Sequence, residues 1–277
     1  MRIRGFRLAT ILAGLAALLV VSGGLGSGAS AHPGSSGALT GVMVRANSHS
    51  LLPLRADTVD SLNWSGYVVN PSSPVTGVSS TFKVPSAGLV PPGFAATWAG
   101  IGGFNTQDLI QAGVAEQSFP DNPVLGPQYF AWYELLPAGE TQLTGCNPDP
   151  NCTVTPGDQM SVNITQAGAS TWNITMSDAN KWTFSLQVPY ASSRSSAEWI
   201  LEAPTLVVVQ TLLAPVGTVR FGPTSTFTAG GTKTIAQGNP TTVILSPGLL
   251  NEATPSALAA DGQSFNDCAY AQTCPTP

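Results

Sequence analysis

The chain has 277 residues, of which only 9% are charged, and its formal net charge is −5. From Asp60 onward it carries five basic and fourteen acidic side chains, so it lacks the basic surface that nucleic-acid binding requires. Its only histidines, His32 and His49, precede the region expected to fold, which disfavours histidine-dependent triads and zinc hydrolysis and leads us to expect no metal and no cofactor.

The N-terminus has the pattern of a secretory signal peptide. Residues 1–31 combine three early arginines, an apolar stretch over 8–21 and a small-residue cleavage site at 29–31. The apolar stretch is short for a spanning helix, and no later segment is long and apolar enough to cross a bilayer. The sequence predicts a secreted, extracellular protein that is free of the membrane once residues 1–31 are removed.

Residues 32–60 are rich in Gly, Ser and Ala. They carry Arg45, Arg55 and both histidines, against Asp57 as the one acid before residue 60. One interpretation is a disordered leader. The other is a pro-segment that is held to the acidic domain by charge.

From Asn63 onward the sequence is typical of short strands separated by Gly and Pro turns. Several segments alternate polar and apolar residues, as strands of a sheet with one solvated face do. The predicted strands are 64–69, 78–84, 95–101, 108–114, 129–136, 160–165, 171–176, 182–188, 197–203, 206–213, 218–221 and 241–245. Residues 249–260 have room for one short helix, which Pro255 disfavours.

This spacing, with no long helical period, predicts an all-β sandwich or jelly roll. We see no internal repeat and no linker, so we expect 61–277 to form a single domain, and a monomer. The four cysteines form two tight pairs in sequence, Cys146 with Cys152 and Cys268 with Cys274. In an oxidising compartment they indicate two disulfides, although four cysteines allow three pairings.

The stretch Ala-Glu-Trp-Ile-Leu-Glu-Ala-Pro at 197–204 places two carboxylates in a tract built for burial. In a strand, Glu198 and Glu202 share one face, and a carboxyl group among apolar neighbours is a candidate for acid–base work. The alternative is a strand edge whose glutamates are solvated. Gln111 and Glu134 also interrupt apolar strands, and Trp132 shares the face of Glu134 by alternation.

A carboxylate and an amide on one concave sheet can hydrolyse a peptide bond without histidine. The carboxylate takes a proton from water as general base, and the amide N–H stabilises the tetrahedral oxyanion. Spacing alone does not establish that Gln111 and a glutamate form such a pair.

Five sequence blocks, in order, resemble those of the eqolisin glutamic peptidases. The blocks are Asn-Trp-Ser-Gly at 63–66, Trp-Ala-Gly-Ile-Gly-Gly at 98–103, Leu-Ile-Gln-Ala-Gly at 109–113, Trp-Tyr-Glu at 132–134 and Ala-Glu-Trp-Ile-Leu-Glu at 197–202. The resemblance implies a concanavalin A-like sandwich of two antiparallel sheets. It also implies synthesis with a signal and a pro-segment, and endopeptidase activity on proteins or peptides at acid pH.

The same resemblance assigns the catalytic pair to Gln111 and Glu202, and gives Glu198 a supporting or structural role. It places Trp98 and Glu134 near the substrate groove, and we assign Trp132 to the same groove. The chain departs from the family pattern at Gly102 and Phe130, where acidic residues are expected, and in a shorter loop before Gln111.

Two other functions remain open at this point. A β-sandwich glycoside hydrolase would use paired glutamates in an aromatic cleft. Glu198 and Glu202 would lie about 13 Å apart on one strand, so a glycosidase would need Glu134 as a partner. A lectin-like module would use Trp98, Trp132 and Glu134 for binding alone.

Overall fold

The computed structural model describes residues 39–40, 43–45, 57–118, 126–206 and 209–277. All of them belong to one unit of contacting residues, Ser36–Pro277. The predicted signal peptide and most of residues 32–60 lie outside the described residues. In the described part of the chain, no helix is long and apolar enough to span a bilayer.

Strands dominate the described residues, which contain a single 3-10 helix, Ala236–Gly238. The strands are β1 Leu39–Thr40, β2 Thr58–Ser61, β3 Trp64–Val69, β4 Gly77–Lys83, β5 Phe94–Gly102, β6 Leu109–Gln117, β7 Gln128–Leu135, β8 Thr141–Gln142, β9 Asn147–Pro148, β10 Gln159–Gly168, β11 Thr171–Asp178, β12 Trp182–Pro189, β13 Ala197–Glu202, β14 Thr205–Leu206, β15 Val209–Gln210, β16 Thr218–Phe221, β17 Thr226–Thr228, β18 Thr232–Thr234, β19 Thr241–Leu245, β20 Ala253–Pro255 and β21 Phe265–Ala269.

Eleven of the twelve predicted strands match observed strands to within a few residues, and the all-β prediction is confirmed. The predicted strand at 206–213 is wrong, because the chain folds back there as the short antiparallel pair β14–β15. The side-chain N–H of Gln210 donates to the carbonyl oxygen of Ala203, and the main-chain N–H of Thr211 donates to that of Pro204. These two hydrogen bonds stabilise the reversal of the chain.

The short helix considered for residues 249–260 is not formed. Its centre forms β20, which pairs with β19 and β21. The main-chain N–H of Glu252 donates to Leu245 and that of Ser256 donates to Asn266, so these N–H groups bond to neighbouring strands instead of along a helix.

Two sheets, joined at one edge where β19 pairs with β20, form the sandwich. The first has the strand order β8–β7–β6–β5–β13–β3–β19–β2, antiparallel except for the β19–β2 pair. The second has the order β9–β12–β11–β10–β4–β16–β21–β20, and β17 also pairs with β4. β10 of the second sheet lies against β5 and β6 of the first.

The central strands of the first sheet, β3, β5, β6 and β13, are buried along nearly their whole length, because apolar side chains pack on both faces of the sheet. Its inner face joins the main core between the sheets, with Ile101, Ala112, Trp199 and Leu201 among its members. Its outer face forms a second apolar cluster. That cluster includes Met43, Trp64, Val68, Ala96, Trp98, Phe104, Leu109, Ala115, Trp132, Leu136, Ile200 and Val243.

Two short-loop disulfides close the peripheral loops, as the paired cysteines predict. Cys146 bonds to Cys152 and Cys268 to Cys274, which selects one of the three pairings. Cys268 lies on β21, so the second disulfide ties the C-terminal residues to the second sheet.

Candidate active site

The acidic residues singled out from the sequence converge on the outer face of the first sheet. Strand register aligns Glu198, Gly100, Gln111 and Glu134 across four neighbouring strands. Glu202 lies four residues further along β13, opposite Ala96. At Gly100, between Glu198 and Gln111, a Cβ would approach Trp98 Cζ3 to 3.0 Å and Gln111 Cβ to 3.1 Å, so these two side chains fill the space beside the glycine.

Glu202 is buried, with 1% of its surface exposed, and two neutral donors hold its carboxyl group. The indole Nε1 of Trp98 donates to Oε2 over 2.8 Å, and the amide Nδ2 of Asn63 donates to Oε1 over 3.2 Å. Burial raises the pKa of Glu202 to about 8, although these hydrogen bonds favour the ionised form and oppose the shift. The carboxyl group is therefore held in one orientation by groups that do not compete for its proton.

Gln111 and Glu134 form a direct pair. The Gln111 amide Nε2 donates to Glu134 Oε2 over 2.6 Å, and both side chains are buried. Burial, with a further contribution from the charge of Glu202, raises the pKa of Glu134 to about 9. Among the described residues, Oε1 of Gln111 and Oε1 of Glu134 have no hydrogen-bond partner. Glu134 is thus a neutral acid over most of the pH range, and it fixes the orientation of the amide.

A third glutamate, Glu140, belongs to this cluster and was missed from the sequence. It lies between β7 and β8, and burial raises its pKa to about 7. Its charge also contributes to the raised pKa values of Glu134 and Glu202. The sequence offers little signal for Glu140, because it lies in a loop outside any predicted strand.

Glu198 occupies the same strand face as Glu202 but has a different environment. It is fully buried, and in the described part of the chain neither carboxyl oxygen accepts a hydrogen bond. Burial raises its pKa well above the usual range. Glu198 is therefore a neutral side chain that packs within the sheet.

Tryptophans form the apolar wall of the site. Trp98 and Trp64 contact edge to face, with ring centroids 4.9 Å apart. Trp132 on β7 lies opposite Gly113 on β6 and is also buried. Among the described residues, its indole N–H has no hydrogen-bond acceptor. The structure thus gathers Trp98, Trp132, Gln111, Glu134 and Glu202, all chosen from the sequence, on one face.

Asn63 is a second residue that the sequence did not single out for a role. Its amide donates to Glu202, while its Oδ1 accepts the main-chain N–H of Val44 over 2.8 Å. The two contacts join β3 to β13 and to the leader. Only the position of Asn63 at the head of the Asn-Trp-Ser-Gly block could have pointed to it.

The two departures from the family pattern lie beside the site. Gly102 has φ +90°, and a Cβ there would approach the carbonyl oxygen of Asp108 to 2.6 Å, so glycine suits this position. Phe130 packs against the outer apolar cluster. Neither departure touches the bonds of Gln111, Glu134 or Glu202.

These groups provide an acid–base residue and a preoriented amide on one dry face. The described residues contain no group of three or more His, Cys, Asp or Glu that could hold a metal ion. The arrangement is suited to proton transfer at Glu202 and to hydrogen-bond donation by Gln111.

Comparison with known proteins identifies related chains. The model of the peptidase A4 family matches residues 62–256. The fold is similar to scytalido-glutamic peptidase bound to a transition-state analogue inhibitor, with 20% identity, a TM-score of 0.59, and coverage of 76% of this chain and 98% of that one. It is also similar to SCP-B, an eqolisin-family peptidase in complex with the tripeptide Ala-Ile-His, with 19% identity, a TM-score of 0.55 and the same coverages. Among curated proteins, no significant match is found.

Proposed function

The chain belongs to the peptidase A4 family, the eqolisins, and is a glutamic peptidase, and we propose that Glu202 and Gln111 are its catalytic pair. The observation that carries this proposal is the state of Glu202. Its carboxyl group is buried and forms no salt bridge with a basic side chain among the described residues. Trp98 and Asn63 hold it by hydrogen bonds on the face of the sheet that carries Gln111.

In the proposed reaction Glu202 acts as general base. It takes a proton from water as the water oxygen bonds to the carbonyl carbon of the peptide. The second N–H of Gln111, free of its bond to Glu134, donates to the oxygen that becomes negative. The Glu202 carboxyl then returns the proton to the leaving nitrogen as the C–N bond breaks.

Glu134 supports this reaction as a positioning residue. Its hydrogen bond with Gln111 prevents the amide from rotating, so the free N–H keeps one direction. An oxyanion donor acts best when its orientation is set before the reaction begins. Glu140, with its pKa near 7, is charged only toward neutral pH, where that charge favours the protonated form of Glu134.

The pKa of Glu202 depends on whether its site is covered. Burial is the largest cause of its rise to about 8, and a general base must be ionised to work. When the face opens to water, the desolvation cost falls while Trp98 and Asn63 still donate. We therefore expect the pKa of Glu202 to fall toward the acid range in the active form, and activity at acid pH to follow.

We propose further that the enzyme is a secreted, monomeric endopeptidase, made with the signal peptide at 1–31 and a pro-segment within 32–60. The small number of Lys and Arg side chains supports function at acid pH. When the carboxyl groups are protonated, few positive charges remain to repel one another and unfold the chain. Family membership favours peptide hydrolysis over the glycosidase and lectin-like alternatives.

The proposal is tested by incubating the secreted protein with an unfolded protein and, separately, with polysaccharides across acid pH. Glu202→Gln and Gln111→Ala are assayed beside the unchanged chain. We expect proteolysis that both substitutions abolish and no polysaccharide cleavage. Proteolysis that persists in Glu202→Gln contradicts the catalytic pair.

A further inference from the structure

The connection between β7 and β8 places a third carboxyl group, that of Glu140, beside the proposed catalytic pair. The charge of Glu140 interacts with Glu134 and with Glu202, and its main-chain N–H lies close to the Glu134 carboxyl group. Glu134 and Glu202 are 2% and 1% exposed, whereas Glu140 is partly exposed. Glu140 is therefore the acid of this cluster that solvent reaches.

No basic side chain balances these three acids in the part of the chain that the structure describes. Both salt bridges found there belong to Lys181, which pairs with Asp158 and Asp178. The charges of Glu140 and Glu202 instead act on their acidic neighbours and raise the pKa of Glu134. A positive charge from outside the chain would be attracted by this cluster and would offset the repulsion within it.

Unpartnered polar atoms lie next to Glu140 on the same sheet face. Trp132 and Glu134 share the outer face of β7, and Gln111 lies opposite Glu134 on β6. Among the described residues, Oε1 of Gln111, Oε1 of Glu134 and Nε1 of Trp132 have no hydrogen-bond partner. All three side chains are no more than 2% exposed. Because buried polar groups almost always have partners, these atoms indicate that a ligand supplies them.

The chemistry of the unpartnered atoms indicates what that ligand carries. The amide oxygen of Gln111 accepts N–H groups, and a protonated carboxyl group keeps the capacity to accept as well. The indole N–H of Trp132 can only donate, so it requires an oxygen such as a main-chain carbonyl. A Lys or Arg residue in a peptide offers all of these: N–H donors, a positive charge and a carbonyl oxygen. A free metal ion would leave the Trp132 N–H without a partner, and an acidic side chain would be repelled.

We propose that Glu140 is a specificity-determining residue that selects a basic side chain of the substrate. The ammonium or guanidinium group lies against the Glu140 carboxyl group and accepts partners from Gln111 Oε1 and Glu134 Oε1, while Trp132 donates to a main-chain carbonyl oxygen of the same peptide. This inference rests on the proposed function, because it places the basic residue close to the bond that Glu202 and Gln111 cleave. It names the substrate class as peptides with Lys or Arg near that bond.

The preference for a basic side chain should depend on pH. Burial raises the pKa of Glu140 to about 7, and in the described residues the titratable groups that interact with it are Glu134 and Glu202. Glu140 is thus neutral in acid and becomes charged as pH rises toward 7. A bound cation favours the ionised form and lowers this pKa, so affinity for a basic peptide increases with pH over this range. In acid the neutral carboxyl group accepts a hydrogen bond only, and the preference is weaker.

The test uses peptides that differ only in carrying lysine, norleucine or glutamate at one position, which is moved in turn through the positions near the cleaved bond. We measure kcat/KM for the secreted protein, Glu140→Gln and Glu140→Asp at about pH 4 and about pH 6. At one position lysine should be favoured over norleucine by about threefold to tenfold at the higher pH, and by less at the lower pH. Glu140→Gln keeps the size of the side chain and should abolish the preference, whereas Glu140→Asp keeps the charge and should retain part of it.

Binding to the Glu202→Gln variant makes the test independent of catalysis. The same peptides are titrated into Glu202→Gln and into the double variant with Glu140→Gln, and the affinities are measured by calorimetry. Lysine should bind more tightly than norleucine only where Glu140 is present. Equal affinities and equal kcat/KM for the two peptides, or a lysine preference that persists in Glu140→Gln, would overturn the proposal. Hydrolysis that survives Glu202→Gln while Glu140→Gln loses the lysine preference contradicts the catalytic pair and leaves the role of Glu140 in place.

Discussion

Gln111 on β6 and Glu134 on β7 are direct neighbours across the two strands, and the side-chain N–H of Gln111 donates a hydrogen bond of 2.6 Å to the carboxyl group of Glu134. Burial and the nearby charge of Glu202 raise the pKa of Glu134 to about 9, so this acid is neutral where the enzyme is expected to work. The pair therefore behaves as two neutral hydrogen-bonding groups, one of which orients the other.

A neutral Glu134 predicts that glutamine can replace it. Glu134→Gln keeps an oxygen to accept from Gln111, whereas Glu134→Ala leaves the amide free to rotate. We expect kcat at acid pH to remain within about threefold of the unchanged enzyme in Glu134→Gln and to fall by roughly tenfold or more in Glu134→Ala. Steady-state kinetics on one peptide substrate measures both. If the two variants lose kcat equally, Glu134 does not act by orienting Gln111.

Trp98 should control the pKa of the general base. Its indole donates to Glu202 over 2.8 Å and favours the ionised carboxylate. Trp98→Phe removes that donor, so the acidic limb of kcat/KM should move upward by about one to two pH units. Trp132→Phe is the matched control, because the Trp132 N–H has no acceptor among the described residues. An equal shift in both variants would remove the role given to this hydrogen bond.

The faces of the strands could be predicted from the sequence, whereas contacts between distant strands could not. Period-two alternation correctly places Glu198 and Glu202 on one side of β13, and Trp132 and Glu134 on one side of β7. Alternation does not give register, so the direct pairing of Gln111 with Glu134 had to be observed.

Two site residues escaped prediction for physical reasons. Asn63 reaches Glu202 across 139 residues of chain, and no local pattern encodes such a contact. Glu140 lies in the connection between β7 and β8, where a charged residue is normally solvated, whereas here it is partly buried.

Packing explains why the Leu-Ile-Gln-Ala-Gly block at 109–113 ends in glycine. At Gly113 a Cβ would come within 2.2 Å of the Thr97 carbonyl oxygen and 2.5 Å of the Trp98 Cβ. Gly113→Ala should therefore push β6 from β5 and displace Trp98, lowering stability by about 1–3 kcal/mol. Chemical denaturation measures the loss. Gly145→Ala tests positive-φ strain alone, since a Cβ at Gly145, where φ is +76°, meets nothing within 4 Å. A Gly113→Ala variant as stable as the unchanged chain would show that the two strands separate without cost.

Asp267 should make the fold less stable as pH rises. It is fully buried between the sheets and accepts from the Ser65 hydroxyl over 2.8 Å. Burial raises its pKa to about 8, above the ordinary value near 4 in the unfolded chain. Because the folded state holds the proton more tightly, its stabilisation is complete below about pH 4 and is lost as pH rises toward 8, at about 1.4 kcal/mol per pH unit.

Asp267→Asn keeps an acceptor for Ser65 but does not titrate, so the slope of unfolding free energy against pH should flatten between about pH 4 and 8. Denaturant unfolding at several pH values measures that slope. Asp261→Asn is the contrast: burial raises the pKa of Asp261, but the hydrogen bonds from Ser264 and Gln263 together outweigh burial and lower that pKa below its ordinary value. Its stabilisation is present at higher pH and lost as pH falls. If the slope of unfolding free energy against pH is the same in Asp267→Asn as in the unchanged chain, Asp267 has an ordinary pKa and is ionised in the folded state.

The central claim is that Glu202, and not its neighbour Glu198 on the same strand face, is the general base. Each is replaced by glutamine, and kcat is measured on one peptide at the pH of maximal activity, with folding checked by circular dichroism. Glu202→Gln should lower kcat by about a hundredfold to ten-thousandfold, whereas Glu198→Gln, which replaces a neutral buried acid, should stay within about tenfold of the unchanged enzyme. A folded Glu202→Gln enzyme that retains its kcat would contradict the account.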